Sequence, residues 1–140
     1  MKKTKNRKAA PKKTARTTAY HHGDLRETLR SAATTLLEEE GLAGFSLRAV
    51  ARKAGVSHAA PYRHYPNHEA LLAELVHGGL VELHDKIAAI TPARGAPSER
   101  IAAIGAAYMR FAVGKPALMR LMFGPQLPDR TRFPEIAAAV

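Results

Sequence analysis

The sequence predicts an all-α fold, with an N-terminal three-helix helix-turn-helix unit joined by a long helix to a partial C-terminal helical unit. Three observations predict it. Apolar residues recur at helical spacing in each patterned segment. A Gly55-Val56 turn separates two short segments, each preceded by a serine suited to capping a helix. The chain has no cysteine, so its stability must come from packing without disulfides.

The first helix is expected over about Asp24 to Glu40, where Leu25, Leu29, Ala32, Ala33, Leu36 and Leu37 form one apolar face. Asp24 and Glu27 have the spacing of a capping box. Gly41 ends the segment, with Leu42 behind it as the hydrophobic contact that usually accompanies such an end. Glu38, Glu39 and Glu40 fall at the negative end of the helix dipole, which is unfavourable for carboxylates. Nothing in the sequence compensates them.

Between Phe45 and Tyr65 the chain reads FSLRAVARKAGVSHAAPYRHY. Leu47, Val50, Ala51 and Ala54 stand at i, i+3, i+4 and i+7, leaving Arg48, Arg52 and Lys53 off the stripe. Ser46 is placed to cap this second helix, a contribution of about 1 kcal/mol. Gly55 supplies the left-handed residue that a tight turn needs. Ser57 then offers a second cap two residues later, so the next helix, roughly Ser57 to Tyr65, leaves at a steep angle. That short segment carries His58, Tyr62, Arg63 and His64 beside small Ala59 and Ala60, a composition for close approach and hydrogen bonding rather than for a core. Pro61 falls in its fourth position, where it removes a backbone bond and restricts Ala60. An irregular helix or an initial tight turn is therefore expected.

Pro66-Asn67 breaks this segment and caps a long amphipathic helix. Its stripe is Leu72, Val76, Leu80, Leu83, Ile87 and Ile90, interrupted only by Gly78-Gly79. Ser98 is read as the cap of a further helix with Ile101, Ile104, Tyr108 and Phe111 on one face and Gly114 at its end. Pro116 opens an apolar segment from Ala117 to Phe123. Gly124, Pro125 and Pro128 mark a loop, and Pro134 starts a last helix.

Charge is distributed unevenly. The net charge is +10, from 22 basic and 12 acidic residues. Residues 1 to 20 contain Lys2, Lys3, Lys5, Arg7, Lys8, Lys12, Lys13 and Arg16 and no acid, leaving only +2 for the rest. Residues 1–19 are thus expected to be a disordered basic arm, able to lie on phosphates or simply to aid solubility. No hydrophobic segment follows the lysine-rich start as a signal peptide requires, and no apolar run approaches the roughly 20 residues of a membrane span. A cytoplasmic location is expected, with no membrane partner.

Enzyme chemistry and cofactors are not expected. His64 and His68 are four apart but separated by Pro66, and His77 and His84 are two turns apart, so neither pair predicts a metal site. A serine-histidine-acid triad lacks its nucleophile elbow, and no glycine-rich phosphate loop occurs.

Three segments together resemble the tetracycline-repressor (TetR) family of transcriptional regulators: YHHGDLRETLRSAATTLL at 20 to 37, SLRAVARKAGVSHAAPYRHYP at 46 to 66, and NHEALLAEL at 67 to 75. The resemblance covers residues 20 to about 80. It implies a DNA-binding domain over 20–80 and an effector-binding and dimerisation domain over 81–140. Within the first, Ser57, His58 and Ala59 match positions facing base edges, Tyr62 and His64 match phosphate-holding positions, and Arg63 serves either purpose. Ser46 and Arg48 match backbone-contacting positions. Two residues depart from the pattern. His68 stands where the family often has a lysine, so that phosphate contact has fewer donors, and Pro61 replaces the usual leucine.

The resemblance also implies a double-stranded DNA operator, a small-molecule effector and a homodimer made by two final helices. Those helices are missing from this sequence, which predicts exposed apolar faces where they would pack. Tyr108, Met109, Phe111, Met119, Met122 and Phe123 are the candidate effector pocket, although an aromatic and methionine stripe at helical spacing is core more often than pocket. The function expected is sequence-specific regulation, as a ligand-responsive repressor on a palindrome. The alternative is a basic helical protein binding nucleic acid without sequence preference through its arm.

Overall fold

A computed structural model describes residues 22–90, 96–126, 129 and 131–139, in which all regular structure is helical. The expected arm at 1–19 and Pro128 lie outside the described residues. The helices are α1 (His22–Glu40), α2 (Leu47–Ala54), α3 (His68–Ala88), α4 (Pro97–Gly114), α5 (Pro116–Phe123) and α6 (Pro134–Ala138), with 3-10 turns at Leu42–Gly44 and Pro61–Arg63.

The expected apolar face of α1 is buried throughout, with Leu29 at 0% and Leu36 and Leu37 at 1% exposure. Its start differs from the sequence expectation. The helix begins at His22, two residues before Asp24, so Asp24 is inside it and is not a cap. Glu27 then lies beyond the free amides of the first turn, and its carboxylate accepts from Arg30 Nε and Nη2 at 3.1 and 3.0 Å. Thr34 and Thr35 are accommodated because their hydroxyls donate to the carbonyls of Arg30 and Ser31 one turn back.

Gly41 follows α1 at φ 67° and ψ −170°, a region open to glycine almost alone. It redirects the chain into the first 3-10 turn and on to Ser46, whose Oγ accepts from Ala49 N at 3.1 Å to cap α2. The other end of α2 closes on Gly55 at φ 68° and ψ 28°. Gly55 N donates to Arg52 O at 3.2 Å and Val56 N to Ala51 O at 3.0 Å, a paired arrangement that satisfies two terminal carbonyls. Val56 packs against the core as the accompanying apolar contact.

Asn67 caps α3 as expected, its Oδ1 accepting from Ala70 N at 2.9 Å. The helix runs unbroken through Gly78-Gly79. Gly79 has a packing reason instead: a Cβ there would sit 2.7 Å from Met122 Sδ and 3.2 Å from Leu118 Cδ2, so its absence lets α5 cross close to α3. The start of α4 also corrects the sequence reading. Ala96 occupies the cap position and Pro97 the first turn, where a fixed φ and a missing N–H cost nothing. Ser98 is already inside the helix. Ala96 offers no side-chain acceptor, so only the return arm forms, from Ala96 N to Glu99 Oε2 at 3.2 Å. Both α5 and α6 begin at the prolines that mark them in the sequence.

One contiguous core joins all of this, drawing residues from α1 through to α6, where Ile136 is fully buried. The acidic end of α1 is tied to the helices around it. Glu38 Oε2 accepts from Ala117 N at 3.0 Å and Glu38 Oε1 from Leu118 N at 2.9 Å, so the side chain caps α5 from another helix. Glu39 pairs with Lys53 of α2. Glu38 thus exchanges an unfavourable position on its own helix for a favourable one at the N-terminus of α5, where carboxylates are stabilised, and Glu39 is offset by its ion pair with Lys53. Glu38→Ala is expected to cost about 1–2 kcal/mol, the loss of a charge-assisted cap, and Glu40→Ala less than about 0.5 kcal/mol. Equal shifts of the urea midpoint for the two variants would contradict this account.

Candidate nucleic-acid interface

The segment joining α2 to α3 is not the α-helix expected over Ser57 to Tyr65. It is a tight turn followed by the 3-10 turn Pro61–Arg63. Ser57 contributes its backbone rather than a side-chain cap, its carbonyl accepting from Ala60 N at 3.0 Å. The irregularity attributed to Pro61 is present, but its form is informative. Pro61 starts the 3-10 turn, is fully buried, and its carbonyl accepts from His64 N at 3.0 Å and Tyr65 N at 2.9 Å. Ala60 takes a helical conformation, φ −60° and ψ −44°, despite preceding proline. Its methyl is the smallest side chain that can meet the proline ring, which limits the usual clash.

This compact turn packs against α2. Buried Ala60, Pro61 and Tyr65 face inward, whereas Ser57, His58, Ala59, Tyr62 and Arg63 are exposed, Tyr62 by 53%. Ser46 and Arg48 at the front of α2 are exposed too, as is His68 at the first position of α3. The Ser46 hydroxyl accepts the capping bond and still has its proton to donate. His64 differs from the others: it is half-buried, its ring tilted at 54° against Tyr65 with centroids 6.3 Å apart.

Electrostatics favour an anion on this side. From Gly41 to His68 the chain contains no aspartate or glutamate but has Arg48, Arg52, Lys53 and Arg63. Lys53 is engaged by Glu39, and the three arginines have no acidic partner among the described residues. The family resemblance does not point to Arg52, yet it is exposed and one turn beyond Arg48. The i, i+4 spacing of two arginines opposite an apolar stripe was the available signal.

The surface is held to the body of the molecule by Tyr65 and its neighbours. Arg26 of α1 reaches across to Glu74 of α3, with Nη2 to Oε2 at 2.6 Å and Nε to Oε2 at 3.1 Å. Glu74 raises the affinity of the Arg26 guanidinium for its proton above an already high value. Tyr65 is 2% exposed, and its hydroxyl meets neither charged group with hydrogen-bond geometry. Burial, and then the Glu74 carboxylate, push its phenol up to about 12.

These features match known proteins. Residues 29–75 match the family described as bacterial regulatory proteins, tetR family. The chain belongs to that family. Relatives include the HTH-type transcriptional regulator Rv1816 of Mycobacterium tuberculosis, 31% identical over 123 residues, with 84% of this chain and 53% of the relative covered. The uncharacterized HTH-type transcriptional regulator YobS of Bacillus subtilis is 33% identical over 86 residues, covering 61% of this chain and 44% of its own. A solved protein of unknown function from Rhodococcus sp. RHA1 is 36% identical, with a TM-score of 0.71 over 87% of this chain and 65% of that one. The chain spans about half the length of the curated relatives it matches.

The tetR-family fold does not gather the six candidate effector residues into one place. Met122 is fully buried and Phe111 is 4% exposed, while Tyr108, Met109 and Phe123 are 38%, 57% and 56% exposed. Met119 is half-buried against the core. Of the six, Phe111 alone lines the open cleft between α3 and α4. The reason is geometric: α4 seats on the core through Ala107 and Phe111, which turns Ile101, Met109 and Val113 outward.

A raised phenol pKa stabilises the folded state fully below the unfolded value near 10, and that contribution is lost as the pH climbs through about 12. Tyr65→Phe is therefore expected to flatten the alkaline loss of stability between those limits, with little penalty at neutral pH because the hydroxyl has no partner to lose. Urea denaturation of both proteins across that range checks it. Superimposable pH curves would refute it.

Proposed function

We propose that this chain is a sequence-specific DNA-binding transcriptional regulator, a ligand-responsive repressor that binds a palindromic operator as a homodimer. The observation carrying this reading is the acid-free surface between Gly41 and His68, folded so that hydrogen-bonding side chains point out and Pro61 and Tyr65 anchor it from within. Ser57, His58 and Ala59 are assigned to base edges. Their small or planar side chains suit close approach to the major groove. Tyr62, Arg48, Ser46 and His68 are assigned to phosphates, and Arg63 to either. His64 is assigned to the same phosphate row, with its partly buried ring fixing its direction. Arg52 joins Arg48 as a backbone contact.

Dimeric binding would place two such turns in successive major grooves about 34–36 Å apart. A ligand acts on such an arrangement only by binding one spacing of the two heads better than the other. The coupling route available in this chain is short. Glu38 ties α1 to the first amides of α5, and Glu39 ties α1 to α2, so a shift of α5 is felt at the reading surface. No described helix is long and apolar enough to cross a membrane.

The eight cations of residues 1 to 20 favour one second reading, binding without sequence preference through the arm. Selection of bound sequences from random oligonucleotides, followed by anisotropy titrations, separates the two. Under the first reading a palindrome is recovered, and deleting residues 1–19 leaves specific binding mostly intact. The deletion also reduces the salt dependence by about 0.9 in log-log slope for each phosphate that the arm had neutralised. His58→Ala is expected to alter base preference by about 1–3 kcal/mol at one position. Tyr62→Phe should weaken all sites alike. Loss of nearly all binding on removal of the arm would instead establish the second reading.

A further inference from the structure

The cleft between α3 and α4 carries chemistry that the DNA-facing surface does not use. Its volume is about 560 Å³, within the range typical of small-molecule sites. Phe111 and Ala107, both nearly fully buried, are on its α4 side, and Ala89 and Ile90 line it from the turn that follows α3. The charged lining is lopsided. Lys86 comes from α3, Arg110 from α4 and Lys115 from the junction of α4 with α5, against a single carboxylate, Glu82.

Glu82 is already committed. It contacts Lys115 at 2.5 Å and Lys86 at 3.6 Å, and Lys115 also stands 5.6 Å from the centre of the Phe111 ring. Burial alone would raise the Glu82 carboxyl, but Lys115 and then Lys86 outweigh it and hold it below the ordinary value. Arg110 is exposed and has no acidic partner among the described residues. One carboxylate among three cations leaves two positive charges beside an apolar wall.

We infer that this cleft binds a small organic monoanion with an apolar body, its carboxylate taken by Arg110 with Lys86 and its body laid against Phe111, Ala107 and Ile90. The chemistry selects against other classes. A cation would meet three like charges for one carboxylate. A neutral apolar molecule would use the wall and leave the guanidinium without a partner. An inorganic anion would use the cations but gain nothing from the apolar surface. Position gives the binding a consequence, because Lys115 directly precedes the helix that Glu38 caps, and an anion competing for Lys115 acts at that junction. The assignment deepens the ligand-responsive reading above and rests on it for any effect on DNA, but occupancy of the cleft is measured without DNA, so the two can fail separately.

The test uses the full chain and a matched trio of probes: 2-naphthoate, 2-naphthylmethanol and 2-naphthylmethylammonium. Calorimetric titration at neutral pH and moderate salt should show naphthoate binding at least roughly tenfold more tightly than the alcohol, with the ammonium weakest, as charge-assisted pairing predicts. Arg110→Gln, an exposed change whose unaltered Tm confirms folding, should weaken naphthoate about fivefold or more and the alcohol less than about twofold. Absence of naphthoate binding, equal binding of all three probes, tightest binding of the ammonium, or an Arg110→Gln variant that binds naphthoate as before would each overturn the proposal. If naphthoate binds as expected but does not change operator affinity, the cleft assignment stands and the ligand-responsive reading falls.

Discussion

Every part of this structure depends on α1 burying one face against three other helices at once. Leu29, Leu36 and Leu37 are essentially inaccessible, and each such side chain contributes about 1.5–3 kcal/mol relative to exposure. The partners are α2, α3 and α5. A helix with one apolar stripe ordinarily joins one layer. Here the stripe is wide enough to seat α2 on one side and α5 on the other, so neither has a core of its own.

The polar edge of α1 completes that arrangement. Arg26 reaches α3, Glu38 caps α5 and Glu39 meets α2. The two ion pairs, Arg26–Glu74 and Glu39–Lys53, contribute little to stability, about 0–1 kcal/mol each. Their value is directional: each fixes the angle of a neighbouring helix that hydrophobic contact alone would leave adjustable. Glu38 is the strongest of them because it satisfies two backbone amides that would otherwise have no acceptor within their helix. The contacts that join α5 to α1 and α1 to α2 are therefore direct.

The turn between α2 and α3 shows how a residue that breaks a local rule can still be accommodated. Pro61 cannot donate a backbone bond, which excludes a regular helix from Ser57 onward, yet its ring fills the core and its carbonyl collects two amides. The result holds Tyr62 and Arg63 outward on a short, tightly bonded segment. On the opposite part of the molecule, α4 contacts the core through Ala107 and Phe111 and leaves Ile101, Met109 and Val113 exposed. The charged cleft opens beside the buried contacts and away from that exposed stripe.

Read alone, the chain dictates the helices other than the one expected over Ser57 to Tyr65, the caps at Ser46 and Asn67, the left-handed Gly55, and the prolines that open α5 and α6. These are local properties, fixed by side-chain period, by the φ that glycine and proline permit, and by hydrogen bonds spanning three or four residues. Local rules also misplaced features. Asp24 and Ser98 have capping chemistry, but where a helix starts is decided by everything packed along it, and both ended up inside. Tertiary packing alone assigns the role of Glu38, whose partners lie 79 and 80 residues away, the reason for Gly79, and the gathering of Lys86, Arg110 and Lys115 around Phe111. An apolar or aromatic residue at helical spacing reads the same whether it enters a core or lines a cleft. What separates the two is which neighbouring helix covers it, and that depends on how all the helices pack together.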